Sequence, residues 1–397
     1  MVKTPIYFDH AATTPVDREV LEEMIPYFSQ VFGNPNSQHA FGRESVKAVD
    51  SARDTIAKLI GAKPGEVYFT SGGTESDNWA LRGACRALKN KGNHIIISKI
   101  EHAAMLSTAK ELEKEGVEVS YIGVDEQGFI DLEELKNAIR PTTVLISCMF
   151  ANNEIGTIEP IEEIVKIAKT HGILVHTDAV QAMGAIDIDV KKLGVDLMSF
   201  SAHKFNGPKG VGALYIKNGI PMDRLIAGGH QERTRRGGTT NVPGVVGFAE
   251  ALRLTKESLQ KDNAYVASLR DRFVQRVSAE IPFVKLNGAS DMAKRLPSNA
   301  DFSFEYIEGE SILFSLDMDG IAVSSGSACS SGSLEPSHVL LAIGLSEEIA
   351  HGTIRFSFGK ENTMEEVDFV VDTLKSTIQR LREMSPLFNM KGEIKNV

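Results

Sequence analysis

The feature that most constrains the fold is an alternation of apolar runs and helical patterns between residues 60 and 216. Short, nearly continuous apolar runs lie at 66–70, 94–98, 117–124, 143–150, 173–177 and 197–200. Strands buried on both faces have this composition, whereas strands with one face in water alternate apolar and polar residues. Because helical segments separate the runs, the pattern predicts an α/β domain with a largely parallel sheet between two layers of helices.

The segment after Pro160 shows how the helices are recognised. Ile161, Ile164 and Val165 fall on one face at helical spacing. Pro160 suits the first helical turn, where its missing N–H has no cost, and Gly172 is a suitable stop. The sequence therefore predicts a helix between residues 160 and 172, directly followed by a strand.

The pattern changes after about residue 250. An amphipathic segment at 250–280 leads into shorter strands and helices, a serine- and glycine-rich loop at 324–333 and a charged terminal helix. A chain of 397 residues exceeds the size at which one core usually suffices. We therefore expect a large cofactor-binding α/β domain at 16–255 and a smaller α+β domain formed by residues 1–15 and 256–397.

Charge and composition narrow the functional classes. The net charge of -10 argues against nucleic acid as the main partner, because phosphate backbones are bound by basic surfaces. No stretch approaches the roughly 20 apolar residues of a membrane span, and the N-terminus has no apolar signal core. The three cysteines, Cys85, Cys148 and Cys329, form neither a disulfide framework nor a metal-binding spacing. These observations predict a cytoplasmic protein that binds no metal, nucleic acid or membrane.

Polar residues follow the predicted strands, at the edge where open parallel sheets bind ligands. Gly72, Gly73 and Thr74 open a helix directly after a strand, an arrangement that binds phosphate but is also common in ordinary turns. The other strand ends carry imidazole, amide, hydroxyl, carboxylate and amine groups: His102, Asn152, Asn153, Asp178, Gln181, Ser201, His203 and Lys204. One edge of the sheet thus offers an anion cradle, an imidazole, amides, a carboxylate and an amine.

Lys204 lies between a strand and a glycine-rich hairpin, where a lysine can act as a Schiff-base amine. On composition alone, a solvated surface lysine is the simpler reading. Asp178 can pair with a pyridinium nitrogen or cap a turn. His102 can stack on a ring, carry a proton or serve its loop structurally. The residues alone leave these alternatives open.

Several motifs, in order along the chain, resemble those of the NifS/IscS-type cysteine desulfurases. The lysine motif is SFSAHKFNGPKG at 199–210, and others are YFDHAATTP at 7–15, GNPNS at 33–37, TSGGTESDN at 70–78, ANNEIG at 151–156 and HTDAVQ at 176–181. The resemblance extends from the first strand to the segment ending at Leu387. It implies a fold-type I pyridoxal-phosphate transferase.

The resemblance implies a role for each matching residue. Lys204 would hold pyridoxal 5'-phosphate as a Schiff base and move the substrate α-proton. Asp178 would keep the ring nitrogen protonated, and Gln181 would contact the phenolic oxygen of the ring. His102 would stack on the ring and act as acid or base.

The phosphate and the substrate have their own predicted contacts. The resemblance implies that Gly73, Thr74, Ser201 and His203 bind the phosphate, and that Asn153, Arg355 and Asn34 line the substrate pocket. Thr239 would reach the phosphate of the other subunit's cofactor, which implies a homodimer with shared sites. Because Gly237 stands where the family usually has serine, Thr240 remains an alternative to Thr239.

A cysteine desulfurase also needs a nucleophilic thiol. Cys85 falls in a predicted helix and Cys148 in an apolar strand, so both are expected to be buried. Cys329 lies in the 324–333 loop, where a thiol is accessible. This loop and the residues up to Val339 resemble the nucleophile loop of the longer-loop, IscS-like branch. The resemblance implies that Cys329 takes the sulfur of L-cysteine as a persulfide and leaves L-alanine.

Partners and rival functions follow from the same resemblance. The implied sulfur acceptor is an IscU/NifU-type iron–sulfur scaffold protein, and the tail at 384–390 is either a docking segment or a frayed terminus. The alternatives are a selenocysteine lyase, another fold-type I aminotransferase, or a non-catalytic partner in a sulfur pathway. The joint presence of Lys204, His102, Asp178 and Cys329 argues against the non-catalytic partner.

Overall fold

The structure is a computed structural model that describes residues 4–325, 335–386 and 388. Its central element is a sheet whose strands follow one another along the chain as β2 (Val67–Thr70), β3 (His94–Ser98), β4 (Glu118–Ile122), β5 (Thr143–Ser147), β6 (Leu174–Asp178), β7 (Leu197–Ser201) and β8 (Gly212–Ile216). In space their order is β2-β8-β7-β6-β5-β3-β4. Of these seven strands, β8 alone runs in the opposite direction to the other six, so the predicted largely parallel sheet is confirmed.

Helices cover both faces of this sheet. They are α1 (Arg18–Met24), α2 (Pro26–Ser29), α3 (Ala40–Leu59), α4 (Gly73–Leu88), α5 (Ala103–Lys114), α6 (Leu132–Ala138), α7 (Ile161–Thr170) and α8 (Val190–Leu193). Along β3, Ile95 and Ile97 enter the apolar cluster on one face, and Ile96 enters the cluster on the other. This two-sided burial explains the continuous apolar runs. The predicted helix after Pro160 is α7.

A second, smaller sheet lies in the C-terminal part of the chain. Its strands are β9 (Val284–Leu286), β10 (Asn299–Phe304), β12 (Ser324–Ser325) and β13 (Thr353–Ser357), antiparallel in the order β12-β13-β10-β9. The N-terminal strand β1 (Ile6–Tyr7) pairs in parallel with β11 (Ile321–Ala322). The accompanying helices are α10 (Gly309–Met318), α11 (His338–Ala342), α12 (Glu347–His351) and α13 (Met364–Met384).

One long helix, α9 (Val242–Glu280), connects the two sheets. Its first part, up to Leu252, packs into the core of the large sheet, and its later part, from Val266, packs into the core of the small sheet. Phe8 from the N-terminus also belongs to the small core. The predicted division at residues 15/16 and 255/256 is compatible with these two cores and stays a prediction.

Among the helices of the described residues, none combines the length and apolar character that a membrane crossing requires.

Candidate active site

The carboxyl ends of β2, β5, β6 and β7 open into a cavity of about 280 Å³. Residue Arg355, from β13 of the small sheet, closes one side. Most of the predicted site residues line this cavity: Gly73, Thr74, His102, Asn153, Asp178, Gln181, Ser201, His203, Lys204 and Arg355. The structure therefore brings together groups that the sequence scatters over nearly 300 positions.

Lys204 is positioned by the N-terminal segment. It ends the short turn Ala202–Lys204 that follows β7, and its Nζ donates to the carbonyl oxygens of Ala11 at 2.6 Å and Ala12 at 2.9 Å. Gln181 Nε2 donates to the same Ala11 oxygen at 3.0 Å. Ala11 and Ala12 of the YFDHAATTP motif thus supply the backbone oxygens that orient the Lys204 amine.

The turn between β2 and α4 has a backbone that only glycine adopts readily. Gly72 has φ 152° and ψ -173°, and a Cβ on Gly73 would lie 2.8 Å from Val180 Cγ2. The first helical hydrogen bond runs from Ser76 N–H to the Gly72 oxygen, at 3.1 Å. The N–H groups before Ser76 have no acceptor within the helix, so they are available to an anion at its N-terminus.

Three carboxyl groups interact electrostatically: Asp178 and Asp77 line the cavity, and Glu101 is fully buried outside its lining. Burial and the charge of Asp178 raise the pKa of Glu101 to about 8, so Glu101 is protonated at neutral pH. Burial and Asp178 likewise hold the pKa of Asp77 well above its ordinary value. Burial also raises the pKa of Asp178, but the Val180 N–H, His102 and Lys204 all favour its charged form. Asp178 is thus the member of the cluster best placed to carry the negative charge.

His102 is both a wall of the cavity and the N-cap of α5. Its Nδ1 accepts a hydrogen bond from Ala104 N–H at 3.1 Å. Burial is the main cause that lowers its pKa; the charge of Asp178 opposes this shift and Lys204 adds to it. Because Nδ1 acts as an acceptor, the ring proton of the neutral form is assigned to Nε2. The structure thus shows the capping role of His102, and its role on a ring stays a prediction.

Arg355 is almost completely buried and is held from two sides. Its Nη2 lies 3.0 Å from Asp9 Oδ1, and its Nη1 donates to the Asn153 carbonyl oxygen at 3.0 Å. Asn152 shapes the turn that presents Asn153, because Asn152 Oδ1 accepts the N–H groups of Glu154 and Ile155. The guanidinium is thereby fixed at the edge of the cavity, where a carboxylate would meet it.

Two predicted residues lie outside the cavity, and a third is not among the described residues. Thr239 is exposed and is not part of the cavity wall. Asn34 is also exposed, and its Oδ1 accepts the Asn36 N–H at 2.9 Å. Cys329 lies outside the described residues. Their roles stay predictions.

The other two cysteines are buried, as expected. Burial raises the pKa of Cys85 to about 12 and that of Cys148 well above its ordinary value. Neither thiol forms the reactive thiolate at neutral pH.

Two kinds of contributor to the site are not predicted from the sequence. Asp77 lies within the motif at 70–78 and Glu101 directly precedes His102, but neither has a role predicted from the sequence. A carboxyl group on the inner face of α4 is the sequence signal for Asp77. Ala11 and Ala12 act through backbone oxygens, for which side-chain chemistry gives no signal.

The cavity fits pyridoxal phosphate on the donor set alone. It holds an oriented amine, a carboxyl group, an imidazole and a helix N-terminus that lacks a capping side chain at Gly72. These are the groups that bind the aldehyde, ring nitrogen, ring face and phosphate of this cofactor.

Comparisons with known proteins agree with this geometry. The family described as aminotransferase class-V matches residues 6–370. The chain belongs to the class-V aminotransferase family. Among its relatives in that family, a cysteine desulfurase IscS of Clostridium botulinum is 55% identical over 383 residues, which cover 96% of each chain. The predicted resemblance to the IscS-type enzymes is confirmed.

Solved structures give the same result for the fold. A NifS-like protein superposes with a TM-score of 0.89 at 41% identity, covering 95% of this chain and 100% of the other. A structure described as SspA in complex with cysteine has a TM-score of 0.79 at 36% identity, covering 90% and 99%. The predicted fold-type I architecture of this class-V aminotransferase is confirmed.

Proposed function

We propose that this protein is a pyridoxal-phosphate-dependent cysteine desulfurase that converts L-cysteine to L-alanine. The observation that carries the proposal is the single cavity in which Lys204, Asp178, His102 and Arg355 meet the N-terminus of α4. The names of its relatives support it, since one is a cysteine desulfurase and a similar solved structure holds cysteine.

The cofactor would be held by residues that already surround the cavity. Lys204 would bind its aldehyde carbon, and Asp178 would keep the ring nitrogen protonated. Gln181 would contact the ring oxygen, while a set of groups at two strand ends would bind the phosphate: Gly73, Thr74, Ser201 and His203. When bound, pyridoxal phosphate supplies an electron-withdrawing ring that stabilises negative charge on the substrate Cα.

The chain's own groups would perform the remaining steps on the substrate. Arg355 would bind the carboxylate of L-cysteine through charge-assisted hydrogen bonds, with Asn153 beside it. Lys204 Nζ would take the proton from Cα and return one later. His102 would present Nε2–H to the reacting atoms, because its Nδ1 is engaged by the backbone.

The sulfur step is assigned to Cys329 from the sequence alone. The Cys329 thiolate forms a bond to the substrate sulfur while the Cβ–S bond breaks. The electron pair of that bond stays on Cβ, which takes up a proton, and the product leaves as L-alanine. The sulfur remains on Cys329 as a persulfide, so no external oxidant or reductant is needed.

The direct test measures alanine formed from L-cysteine by the holoenzyme. Cys329→Ser should keep the cofactor absorbance and lose alanine formation, whereas Lys204→Ala should lose both. Lys209→Ala, an exposed lysine of the same hairpin, is the matched control and should behave as wild type. Alanine formation by Cys329→Ser at the normal rate would refute the nucleophile assignment. Equal turnover of selenocysteine would favour a selenocysteine lyase.

A homodimer is part of the proposal. A group of large apolar side chains on the N-terminal helices and the segment between them is half or more exposed, and it includes Phe28 at 64% and Phe32 at 63%. Thr239 is exposed as well, as expected if it serves the partner's phosphate. Light scattering should therefore give a dimer, and the double variant Phe28→Glu with Phe32→Glu should give a monomer if these side chains are covered in the dimer.

We further propose a cytoplasmic enzyme that passes sulfur to an IscU/NifU-type scaffold for iron–sulfur cluster assembly. A reducing compartment keeps the Cys329 thiol available. In the tail, the Phe388 ring packs against Tyr306 and Phe283, with centroid distances of 5.5 and 5.8 Å. Persulfide transfer to candidate scaffolds, measured with the full chain and with a chain ending at Glu383, would show whether the tail takes part.

A further inference from the structure

Residues 226–238 form a loop, called here the 226–238 loop, that leads directly to Thr239. Its two ends meet at a narrow neck, where Gly237 N–H donates to the Ile226 oxygen at 3.1 Å. Gly228 and Gly237 lie backbone to backbone, so a Cβ on Gly237 would come within 2.6 Å of Gly228 Cα. The serine that resembling enzymes carry in place of Gly237 would therefore require the neck to open.

Inside the loop, three consecutive non-glycine residues adopt the left-handed backbone conformation. Their φ angles are 47° at Glu232, 57° at Arg233 and 68° at Thr234. This conformation is unfavourable for L-residues because Cβ approaches the following carbonyl oxygen. It persists only where surrounding contacts fix it. The side-chain contacts of the loop are therefore the features to examine.

Glu232 fixes the loop to the strand that leads into the phosphate turn. Its carboxylate is buried and accepts hydrogen bonds from Arg53 Nη2 at 2.7 Å and Nη1 at 2.8 Å. The same carboxylate accepts the Phe69 N–H of β2 at 3.0 Å. Arg53 also donates to the Val67 oxygen of β2 at 2.7 Å. A buried, bidentate ion pair thus joins α3, β2 and the loop.

Glu75 makes a second link, at the start of α4. It receives two hydrogen bonds from Arg236, at 2.8 and 3.0 Å, and one from the Ser71 N–H at 2.8 Å. Burial would raise the pKa of Glu75, but the bonds from Arg236 and Ser71 outweigh it and hold the pKa below its ordinary value. The pair is therefore charged at neutral pH.

We propose that Glu75 and Glu232 are positioning residues that fasten the 226–238 loop to the phosphate-binding turn at 70–74. They set the turn for the cofactor phosphate and at the same time set Thr239, one residue beyond the loop. The inference rests on the proposed function, in which the turn serves the subunit's own cofactor and Thr239 serves the partner's. The two phosphate contacts of one chain are then a single rigid unit.

The test compares binding of pyridoxal phosphate and of pyridoxal, which lacks the phosphate, to the full-length apo-protein. Binding is followed by the absorbance of the Lys204 adduct, and the ratio of the two affinities measures phosphate recognition. The variants are Glu75→Gln and Glu232→Gln. The control is Glu257→Gln, which breaks an exposed glutamate–arginine pair on α9.

A purely electrostatic effect of the two glutamates and a positioning role predict opposite results for these variants. Removing a negative charge near an anion site would, by Coulomb's law, tighten phosphate binding. Loss of positioning instead lowers the preference for pyridoxal phosphate by about tenfold or more, the scale of a broken buried charge pair. The control should keep the wild-type ratio. A melting curve of each apo-protein identifies loss of fold, which would weaken both ligands equally.

The inference is overturned if Glu75→Gln keeps the wild-type ratio, binds pyridoxal phosphate more tightly, or loses both ligands in parallel. A wild-type protein that does not prefer pyridoxal phosphate to pyridoxal would contradict the proposed function itself. That result appears in the wild-type curves and is thus distinguishable from failure of the positioning role.

Discussion

The variant Glu101→Gln measures how much unfolding free energy the protein loses by burying the Glu101 carboxyl group. Burial, with the charge of Asp178, raises the pKa of Glu101 from an ordinary value of 4.5 to about 8. The native state therefore binds a proton that the unfolded chain releases above pH 4.5, so this group destabilises the fold increasingly as pH rises from 4.5 to 8. Glutamine has the same shape as the protonated acid and needs no proton.

The magnitude follows from the two pKa values. At about 1.4 kcal/mol per unit, a shift of about 3.5 units sets an upper limit of about 5 kcal/mol above pH 8. Between pH 6 and pH 8, the difference in unfolding free energy between Glu101→Gln and wild type should grow by about 2 kcal/mol. Any cost of burying the glutamine amide is the same at each pH, so the change with pH carries the result.

Urea unfolding of the apo-protein at several pH values measures this change. Trp79, the only tryptophan of the chain, is buried in α4 close to the site and reports the large sheet by fluorescence. Glu257→Gln, on an exposed side chain, should show a constant difference from wild type. A difference between Glu101→Gln and wild type that stays constant from pH 6 to pH 8 would refute protonation of Glu101 in the native state.

Three other outcomes are expected. Arg355→Lys should raise the KM for L-cysteine about tenfold or more while cofactor binding stays unchanged. The reason is that a lysine loses the pair of contacts that fix the guanidinium, to Asp9 Oδ1 and to the Asn153 carbonyl oxygen. An unchanged KM would exclude Arg355 from substrate binding. Gly72→Ala should weaken cofactor binding and cost about 1–3 kcal/mol of stability, because φ 152° is unfavourable for alanine although the space is open; wild-type affinity would contradict the phosphate role of the turn. Ser337→Ala removes a 2.5 Å hydrogen bond to buried Glu154 and the N-cap of α11, so unfolding free energy should fall by about 2–4 kcal/mol. Ser315→Ala, which removes only solvent-exposed hydrogen bonds on α10, should have little effect.

Three histidines should lower the stability of the fold as the pH falls, whereas Glu101 lowers it as the pH rises. Burial lowers the pKa of His10 and His203 to about 4 and that of His176 to about 3, from 6.5. The unfolded chain then binds more protons than the native state, so this contribution is present above pH 6.5 and is lost as pH falls toward 4. An NMR titration of the three imidazoles should show all of them still neutral at pH 6.5. A histidine that titrates near 6.5 in the native protein by NMR would contradict its buried, neutral state.

Much of the large sheet was predictable because burial on both faces leaves a direct mark on sequence. The run at 94–98 is β3, and strand ends collected in order gave most of the cavity wall. The long helix was only partly predicted. Its first part, from Val242, is buried against the large core and lacks the polar face that made the 250–280 segment recognisable.

Other features depend on contacts that no local pattern records. Lys204 is oriented by carbonyl oxygens 192 and 193 positions away. The pKa of Glu101 depends on its burial and on Asp178, which only the assembled sheet brings close. The left-handed backbone at Glu232 would not be expected from its residue type, since Arg53 and β2 impose it from outside the loop.

The most direct test of the account is the fate of the substrate sulfur. The holoenzyme is incubated with L-cysteine, free persulfides are blocked with an alkylating reagent, and peptides are mapped by mass spectrometry while alanine is measured in the same sample. We expect one additional sulfur atom on the peptide that contains Cys329, with alanine formed, and neither product in Cys329→Ser. Alanine formation without sulfur on Cys329, or sulfur on Cys85 or Cys148 instead, would contradict it.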